Sequence, residues 1–250
     1  MASDPLHQFH IQQLHQLAIG GVDASFTTSS LFMVGAVVLV AGGLSWAMAK
    51  PALVPNRAQS VAEGFYGFID SMVETVIGKA GKPFFPLIFT LFSFIFAVNM
   101  LGMFPYFFTP TAQLIVPVVL ALAVFAGVLI IGFLKSGLGF LKLFFPSGIP
   151  WPLYFIITPI EIISFFSRPL SHSIRLWANI FAGHLVLKLF AGFTPQLLDL
   201  GAVGYLGAIL PLVMTIAMTA LELLVAFLQA YVFAMLTCVY LNDALHADHH

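Results

Sequence analysis

Charged residues are scarce in this chain. Nine lysines and arginines and ten aspartates and glutamates make up 8% of its 250 residues, whereas a soluble domain carries about a quarter. Hydrophobic residues account for 60%, and several apolar runs exceed the ~18 residues that a helix needs to cross a ~30 Å hydrocarbon core. No run alternates in the manner of barrel strands. The composition therefore excludes a soluble domain and predicts an all-α polytopic membrane protein.

Cysteine and clustered basic residues are also missing. The single cysteine, Cys238, excludes an intrachain disulfide and is expected to be a small buried hydrophobe. No basic run points to nucleic acid, and no phosphate-binding loop, nucleophile triad or cysteine-based metal motif occurs. The N-terminus lacks a basic start with a nearby apolar core, so no cleavable signal peptide is evident. We therefore expect no cofactor, no metal and no nucleic-acid partner.

The apolar runs describe one membrane domain over residues 1–250. The first run is closed by Lys50 and Pro51, a helix stop followed by further positive charge. After it, apolar residues recur every three or four positions with carboxylates between them, which is typical of a helix lying along a membrane surface. The predicted segments are an outer N-terminal arm (1–28), three spans (29–49, 84–108, 113–134), an interfacial helix (57–80), a surface hairpin (136–152) and two long helices (153–191, 202–241).

The two long helices are too long for a simple crossing. At 1.5 Å per residue they measure about 58 Å and about 60 Å, nearly twice the bilayer thickness. Splitting the last one would need a turn, yet it has no glycine after Gly207 and no proline after Pro211. Each is therefore predicted to be one strongly tilted helix. Joined by a loop at 192–200, the two would form a hairpin inclined in the membrane, which brings the number of crossings to about five.

The distribution of basic residues predicts the orientation. With five crossings and the N-terminus outside, no lysine or arginine falls in an outer loop. The basic residues outside the two long helices all fall on the cytoplasmic side: Lys50, Arg57, Lys79, Lys82, Lys135 and Lys142. This partition follows the positive-inside rule and predicts an outer N-terminus and a cytoplasmic C-terminus.

Polar side chains are concentrated in the two long helices. A guanidinium at mid-bilayer depth costs roughly 3 kcal/mol on insertion scales, so Arg175 is a functional candidate. Asn179 is four residues away and adjacent on the same face, whereas His184 is nine residues beyond Arg175 and lies on the opposite side. Histidine and glutamate can pass protons, but arginine keeps its charge and would form a barrier or latch. The candidate residues are Glu161, His172, Arg175, Asn179, His184, Glu222 and Gln229, while Arg168 and Lys188 are expected to snorkel.

These residues leave several functions open. A buried pair of Arg175 with Glu222 would only pin the hairpin together, and His172 or His184 can be a satisfied buried histidine as readily as a proton relay. A proton channel or secondary transporter acting alone would use the same residue types, although the halves show no inverted repeat. A scaffold of a membrane complex would need Arg175 only for stability. The countercharge of Arg175 is Glu222 or an acid on another chain, since Glu161 is about 21 Å away along the helix axis.

Two stretches make the sequence recognisable: PIEIISFFSRPLSHSIRLWANIFAGH (159–184) and LELLVAFLQAYVFAMLTCVYL (221–241). They resemble subunit a of the F-type ATP synthases, most of all its α-proteobacterial and mitochondrial branch, and the resemblance covers essentially the whole chain. It implies a non-catalytic stator subunit that passes protons through two offset half-channels beside a rotating c-ring, with ATP made on other subunits. The implied partners are the c-ring, peripheral-stalk subunit b, the remaining subunits and lipid.

The resemblance also implies a location and roles for the candidates. The location is the bacterial inner membrane, with a periplasmic N-terminus and a cytoplasmic C-terminus, or alternatively the mitochondrial inner membrane. Arg175 would meet the carboxylate of each passing c subunit, which supplies its missing countercharge. His184 and Glu222 would line the outer half-channel, and Glu161 the cytoplasmic one. The polar residues that flank the arginine are Asn179 and Gln229.

Two positions depart from the family pattern. His172 stands where many relatives have an apolar or small residue, and Trp177 where phenylalanine is usual. His172 is one turn from Arg175, so its titration in the path is an open question. The residues by themselves fit either H⁺ or Na⁺ as the transported ion.

Overall fold

The computed structural model describes residues 13–15, 18–19, 22–23, 25–104, 107–137, 139–140, 151–199 and 201–245. Within them the chain forms six α-helices: α1 Thr28–Ala47, α2 Arg57–Val76, α3 Phe85–Gly102, α4 Ile115–Ser136, α5 Trp151–Leu198 and α6 Ala202–Leu245. Short 3-10 turns occupy Gly78–Phe84 and Pro110–Ala112. Four strands precede α1 in two antiparallel pairs: β1 Gln13–His15 with β4 Phe26–Thr27, and β2 Ala18–Ile19 with β3 Val22–Asp23.

Five helical segments of the described chain are long and apolar enough to cross a membrane: Thr28–Ala47, Gly78–Gly102, Ile115–Lys135, Leu153–Leu198 and Gly204–Leu245. Helix α2 is not among them, because polar and charged residues are interspersed among its apolar ones. The predicted all-α polytopic membrane fold is confirmed, with the short strand pairs confined to the residues before α1. The N-terminal arm and the 136–152 hairpin fall largely outside the described residues.

Two predicted boundaries are wrong. The second span was expected to reach residue 108, but α3 ends at Gly102, because Pro105 disfavours helical backbone in the residue before it. The loop expected at 192–200 is mostly helix, since α5 continues to Leu198. In an apolar medium an unpaired backbone group costs several kcal/mol, so the helix persists through Pro195.

The chain divides into two compact units. The first comprises Met1–Gly43, Phe94–Gln113 and Leu176–Ala230. In it the first part of α1 packs on the second part of α3 through small buried residues, Ala36 and Ala97, with Val98 beside them. Small side chains let helix backbones approach closely, which drives helix association where lipid removes the usual hydrophobic gain.

The second unit comprises Leu44–Ser93, Leu114–Arg175 and Tyr231–His250. Asn56 caps α2 by accepting a hydrogen bond from the Gln59 backbone N–H at 2.8 Å, a standard role for asparagine at a helix start. The inner face of α2 places aromatic rings against those of α3. The ring pairs are Tyr66 with Phe85 at 4.5 Å, and Phe65 with Phe92 at 5.5 Å.

Candidate functional site

A buried imidazole and a buried carboxylate meet between α5 and α6 in the first unit. His184 is 8% exposed and Glu222 is 5% exposed, and His184 Nδ1 lies 2.9 Å from Glu222 Oε1. No hydrogen bond of favourable angle reaches that oxygen among the described residues. The two atoms are therefore within ion-pair distance of each other without an aligned hydrogen bond. Burying an ionisable group costs free energy unless a partner group compensates for the lost contact with water.

The second nitrogen of the same imidazole is held by a residue from the segment between α3 and α4. Thr109, which is 7% exposed, places Oγ1 at 3.1 Å from His184 Nε2. The same oxygen lies 3.3 Å from the carbonyl oxygen of Gly102, to which it donates. Both ring nitrogens of His184 thus have polar partners, and a continuous polar line runs from the end of α3 to α6.

Further hydrogen bonds fix the segment that carries Thr109. Thr111 is fully buried and donates to Asn99 Oδ1 at 2.8 Å. The amide nitrogen of Asn99 donates in turn to the Ala226 carbonyl at 3.3 Å. Trp177 donates from Nε1 to the Ala112 carbonyl at 2.9 Å. The segment is therefore tied to α3 and α5, and α3 is tied in turn to α6.

The arginine of the candidate set is not buried. Arg175 and Asn179 are both exposed on α5, and Gln229 is half-buried on α6. The ion pairs found within the described residues are His184 with Glu222 and Arg168 with Asp243, so neither involves Arg175. The interpretation of Arg175 as a buried pin on Glu222 is therefore not supported.

His172 and Glu161 lie elsewhere on α5. His172 is buried, its ring centroid is 3.7 Å from that of Phe233, and among the described residues its Nε2 has no hydrogen-bond partner. Glu161 is half-buried. In the described residues these two are not joined to the His184 pair by any hydrogen bond or ion pair.

A second ion pair occupies the second unit. Arg168 Nη1 lies 2.9 Å from Asp243 Oδ2, and its guanidinium carbon is 5.1 Å from the ring centroid of Tyr240 and 5.4 Å from that of Phe165. Arg168 was expected to snorkel, but it is held at the C-terminal end of α6 instead. A cation over an aromatic face gains electrostatic stabilisation beyond that of the carboxylate partner.

Sequence reasoning missed two residues, Thr109 and Asp243. Each contacts a helix residue 75 positions away in the chain. Thr109 carries no charge and follows the end of a span, so no pattern in the sequence distinguishes it from a turn residue. Asp243 gave a weak signal, because a carboxylate near the end of a long apolar helix needs either solvent or a cation.

The longest helices of this membrane protein hold a buried imidazole–carboxylate pair and an exposed arginine. Ionisable residues inside membrane helices are typical of ion-translocating proteins. Comparison with known proteins gives the particular family. The family model described as ATP synthase A chain matches residues 30–242, and this chain belongs to that family.

Curated relatives carry the same name. The protein "ATP synthase subunit a" of Allorhizobium ampelinum is 56% identical over 250 residues, which cover all of both chains. The protein of that name from Mesorhizobium japonicum is 56% identical over 246 residues, covering 98% of each chain. That of Agrobacterium fabrum is 56% identical over 249 residues, covering 100% of each. The expected resemblance to the α-proteobacterial branch is thereby confirmed.

Proposed function

We propose that this chain translocates protons as the stator subunit of an F-type ATP synthase, working against a rotating c-ring. The observation that carries the proposal is the buried contact between His184 Nδ1 and Glu222 Oε1 at 2.9 Å, on two helices long enough to span a membrane. An intramembrane carboxylate is expensive to keep without a function. Membership of the family supplies the rotary context.

His184 and Glu222 form the outer half-channel in this mechanism. A proton from outside reaches the pair, passes from it to a carboxylate on the ring, and neutralises that carboxylate. The neutral ring site can then face lipid, because an uncharged carboxylic acid costs far less to expose to hydrocarbon than a carboxylate does. Imidazole and carboxyl groups can each take and release a proton, which this step requires.

Arg175 is the fixed positive charge that meets the ring carboxylate. It favours the ionised form of that group, so the ring site loses its proton after nearly a full turn, next to the cytoplasmic half-channel at Glu161. Arginine cannot relay a proton, so it also prevents a direct leak. Asn179 and Gln229 are the polar residues beside it. His172 has no assigned step, because the described residues offer its Nε2 no hydrogen-bond partner.

The remaining parts of the proposal concern orientation and partners. The N-terminus is periplasmic and the C-terminus cytoplasmic in a bacterial inner membrane, as the positive-inside rule indicates. The partners are the c-ring, peripheral-stalk subunit b and the other synthase subunits. This chain is non-catalytic, and ATP is made on another subunit. Each proton crossing 100 mV releases ~2.3 kcal/mol, so several protons are needed for each ATP.

The chemistry of the pair supports protons rather than sodium ions. Sodium needs a set of oxygen ligands, as other hard cations do, whereas one side of this contact is an imidazole nitrogen. A stand-alone channel or secondary transporter is not favoured, because the match to the synthase family spans nearly the whole chain.

Replacing Glu222 by glutamine tests the proposal. In membrane vesicles stripped of the peripheral ATP-hydrolysing subunits, we expect passive proton flow to fall at least about tenfold, because an amide cannot take up a proton in place of the carboxylate. The matched control is Glu74→Gln, which removes an exposed carboxylate from α2 and should leave flow unchanged. Wild-type flow in an assembled Glu222→Gln complex would contradict the proposal.

A further inference from the structure

We propose that Thr109 is a positioning residue that fixes His184 in its Nε2-protonated form and thereby confines the transferable proton to the gap between His184 Nδ1 and Glu222 Oε1. The inference concerns three side chains of the first unit. It rests on the proposed function only in taking this proton to be the one that is translocated. It assigns a role to a residue in the segment between α3 and α4.

The direction of the hydrogen bonds follows from counting hydrogens. The Thr109 hydroxyl has a single hydrogen, and its oxygen lies within hydrogen-bond distance of both the Gly102 carbonyl oxygen, at 3.3 Å, and His184 Nε2, at 3.1 Å. A carbonyl oxygen can only accept. Both contacts can be hydrogen bonds at once only if the hydroxyl hydrogen goes to Gly102 and the hydroxyl oxygen accepts from His184. Nε2 of His184 consequently carries a hydrogen.

Fixing Nε2 determines what the other nitrogen can do. A neutral imidazole has one protonated nitrogen, so a neutral His184 with Nε2–H presents a bare Nδ1 to Glu222. Two bare acceptors at 2.9 Å would repel each other. One of the two atoms must therefore carry a proton, either Nδ1, as imidazolium beside carboxylate, or Oε1, as carboxylic acid beside neutral imidazole. Moving between these two states transfers that proton across the contact while Nε2–H stays in place.

The surrounding residues hold the Thr109 side chain in place. Gly102 has no side chain, and a Cβ there would lie 2.9 Å from the Thr109 Cβ, which is closer than real side chains approach. The next threonine, Thr111, is fully buried and bonded to Asn99. The hydroxyl of Thr109 is thus held at His184 by packing on one side and by hydrogen bonds on the other. If the segment were loose, the imidazole could flip and offer its protonated nitrogen to the wrong partner.

The test uses the whole synthase complex in membranes, with histidine labelled by nitrogen-15 and the His184 signal assigned by its loss in His184→Gln. The wild type should show a protonated Nε2. Thr109→Ser keeps the hydroxyl and should keep that signal. Thr109→Val removes the hydroxyl, so the ring should show a mixture of both tautomers, and proton flow should fall about tenfold, the effect of losing one hydrogen bond.

The control is Thr237→Val, which removes a buried hydroxyl from α6 without touching the imidazole or the segment that carries Thr109. It should leave the His184 signal unchanged. A bare Nε2 in the wild type would overturn the proposal without any variant, and so would an unaltered tautomer in an assembled Thr109→Val complex. Failure of the proposed function is a separate outcome, since normal proton flow in Glu222→Gln would reject that function while leaving the tautomer of His184 as measured.

Discussion

Replacing Asp243 by asparagine tests the ion pair that joins Arg168 of α5 to Asp243 near the C-terminal end of α6. Arg168 and Asp243 meet at 2.9 Å with their side chains 24% and 32% exposed. A fully buried pair costs about 3–5 kcal/mol when one partner is removed, and an exposed one contributes about 0–1 kcal/mol. With a quarter to a third of each side chain exposed, and with Arg168 also 5.1 Å from the Tyr240 ring centroid, we expect a loss of about 1–2 kcal/mol.

The assay is a double-mutant cycle on thermal inactivation. Vesicles carrying the wild type, Arg168→Gln, Asp243→Asn or both changes are heated, and the remaining ATP-driven proton pumping is followed with time. A loss of this size corresponds to roughly a fivefold to thirtyfold change in an equilibrium constant. We expect each single variant to inactivate faster, and the double variant to lose less than the sum of the two. Strictly additive losses would refute the pair as a stabilising unit.

Two further substitutions test the packing around Thr109. Gly102→Ala places a methyl group 2.9 Å from the Thr109 Cβ, so it should lower stability by about 1–3 kcal/mol through overpacking and slow proton flow, whereas Gly127→Ala, with nothing within 4 Å, should do neither. Trp177→Phe removes the 2.9 Å hydrogen bond to the Ala112 carbonyl; we expect the melting temperature of the complex to fall, from a loss of about 1–3 kcal/mol, while ATP synthesis stays near the wild-type rate. A large loss of synthesis would show that the indole does more than hold the segment.

The long helices were predictable because the sequence lacks the residues that would interrupt them with a turn. A turn inside α6 would need glycine or proline, and the sequence offers neither after Gly207 and Pro211. The same reasoning failed at the 192–200 loop, where proline and glycine occur but do not end α5. These residues break a helix in water, where solvent satisfies the freed backbone groups; in a membrane segment the backbone must satisfy itself, so the helix continues.

For the candidate site, the sequence predicted only the relative positions of residues on the same helix. Spacing puts Arg175 and His184 on opposite sides of α5, and the structure shows the first exposed and the second buried. The grouping of His184 with Glu222 in the outer half-channel came from the family resemblance, since spacing within one helix says nothing about its partner; their contact is seen only in the structure. Thr109 could not be found at all, because its contact depends on how the segment after α3 folds back against α5. The roles of the site residues stay predictions.

The most direct measurement of the central claim is proton-driven ATP synthesis together with passive proton leak in vesicles carrying Arg175→Ala, after showing that the complex assembles in wild-type amounts. Arg57→Ala, which removes an exposed arginine at the start of α2, is the matched control. A charge barrier that also meets the ring carboxylate predicts lost synthesis and increased leak in Arg175→Ala and neither in the control. Unchanged synthesis in an assembled Arg175→Ala complex would contradict the account.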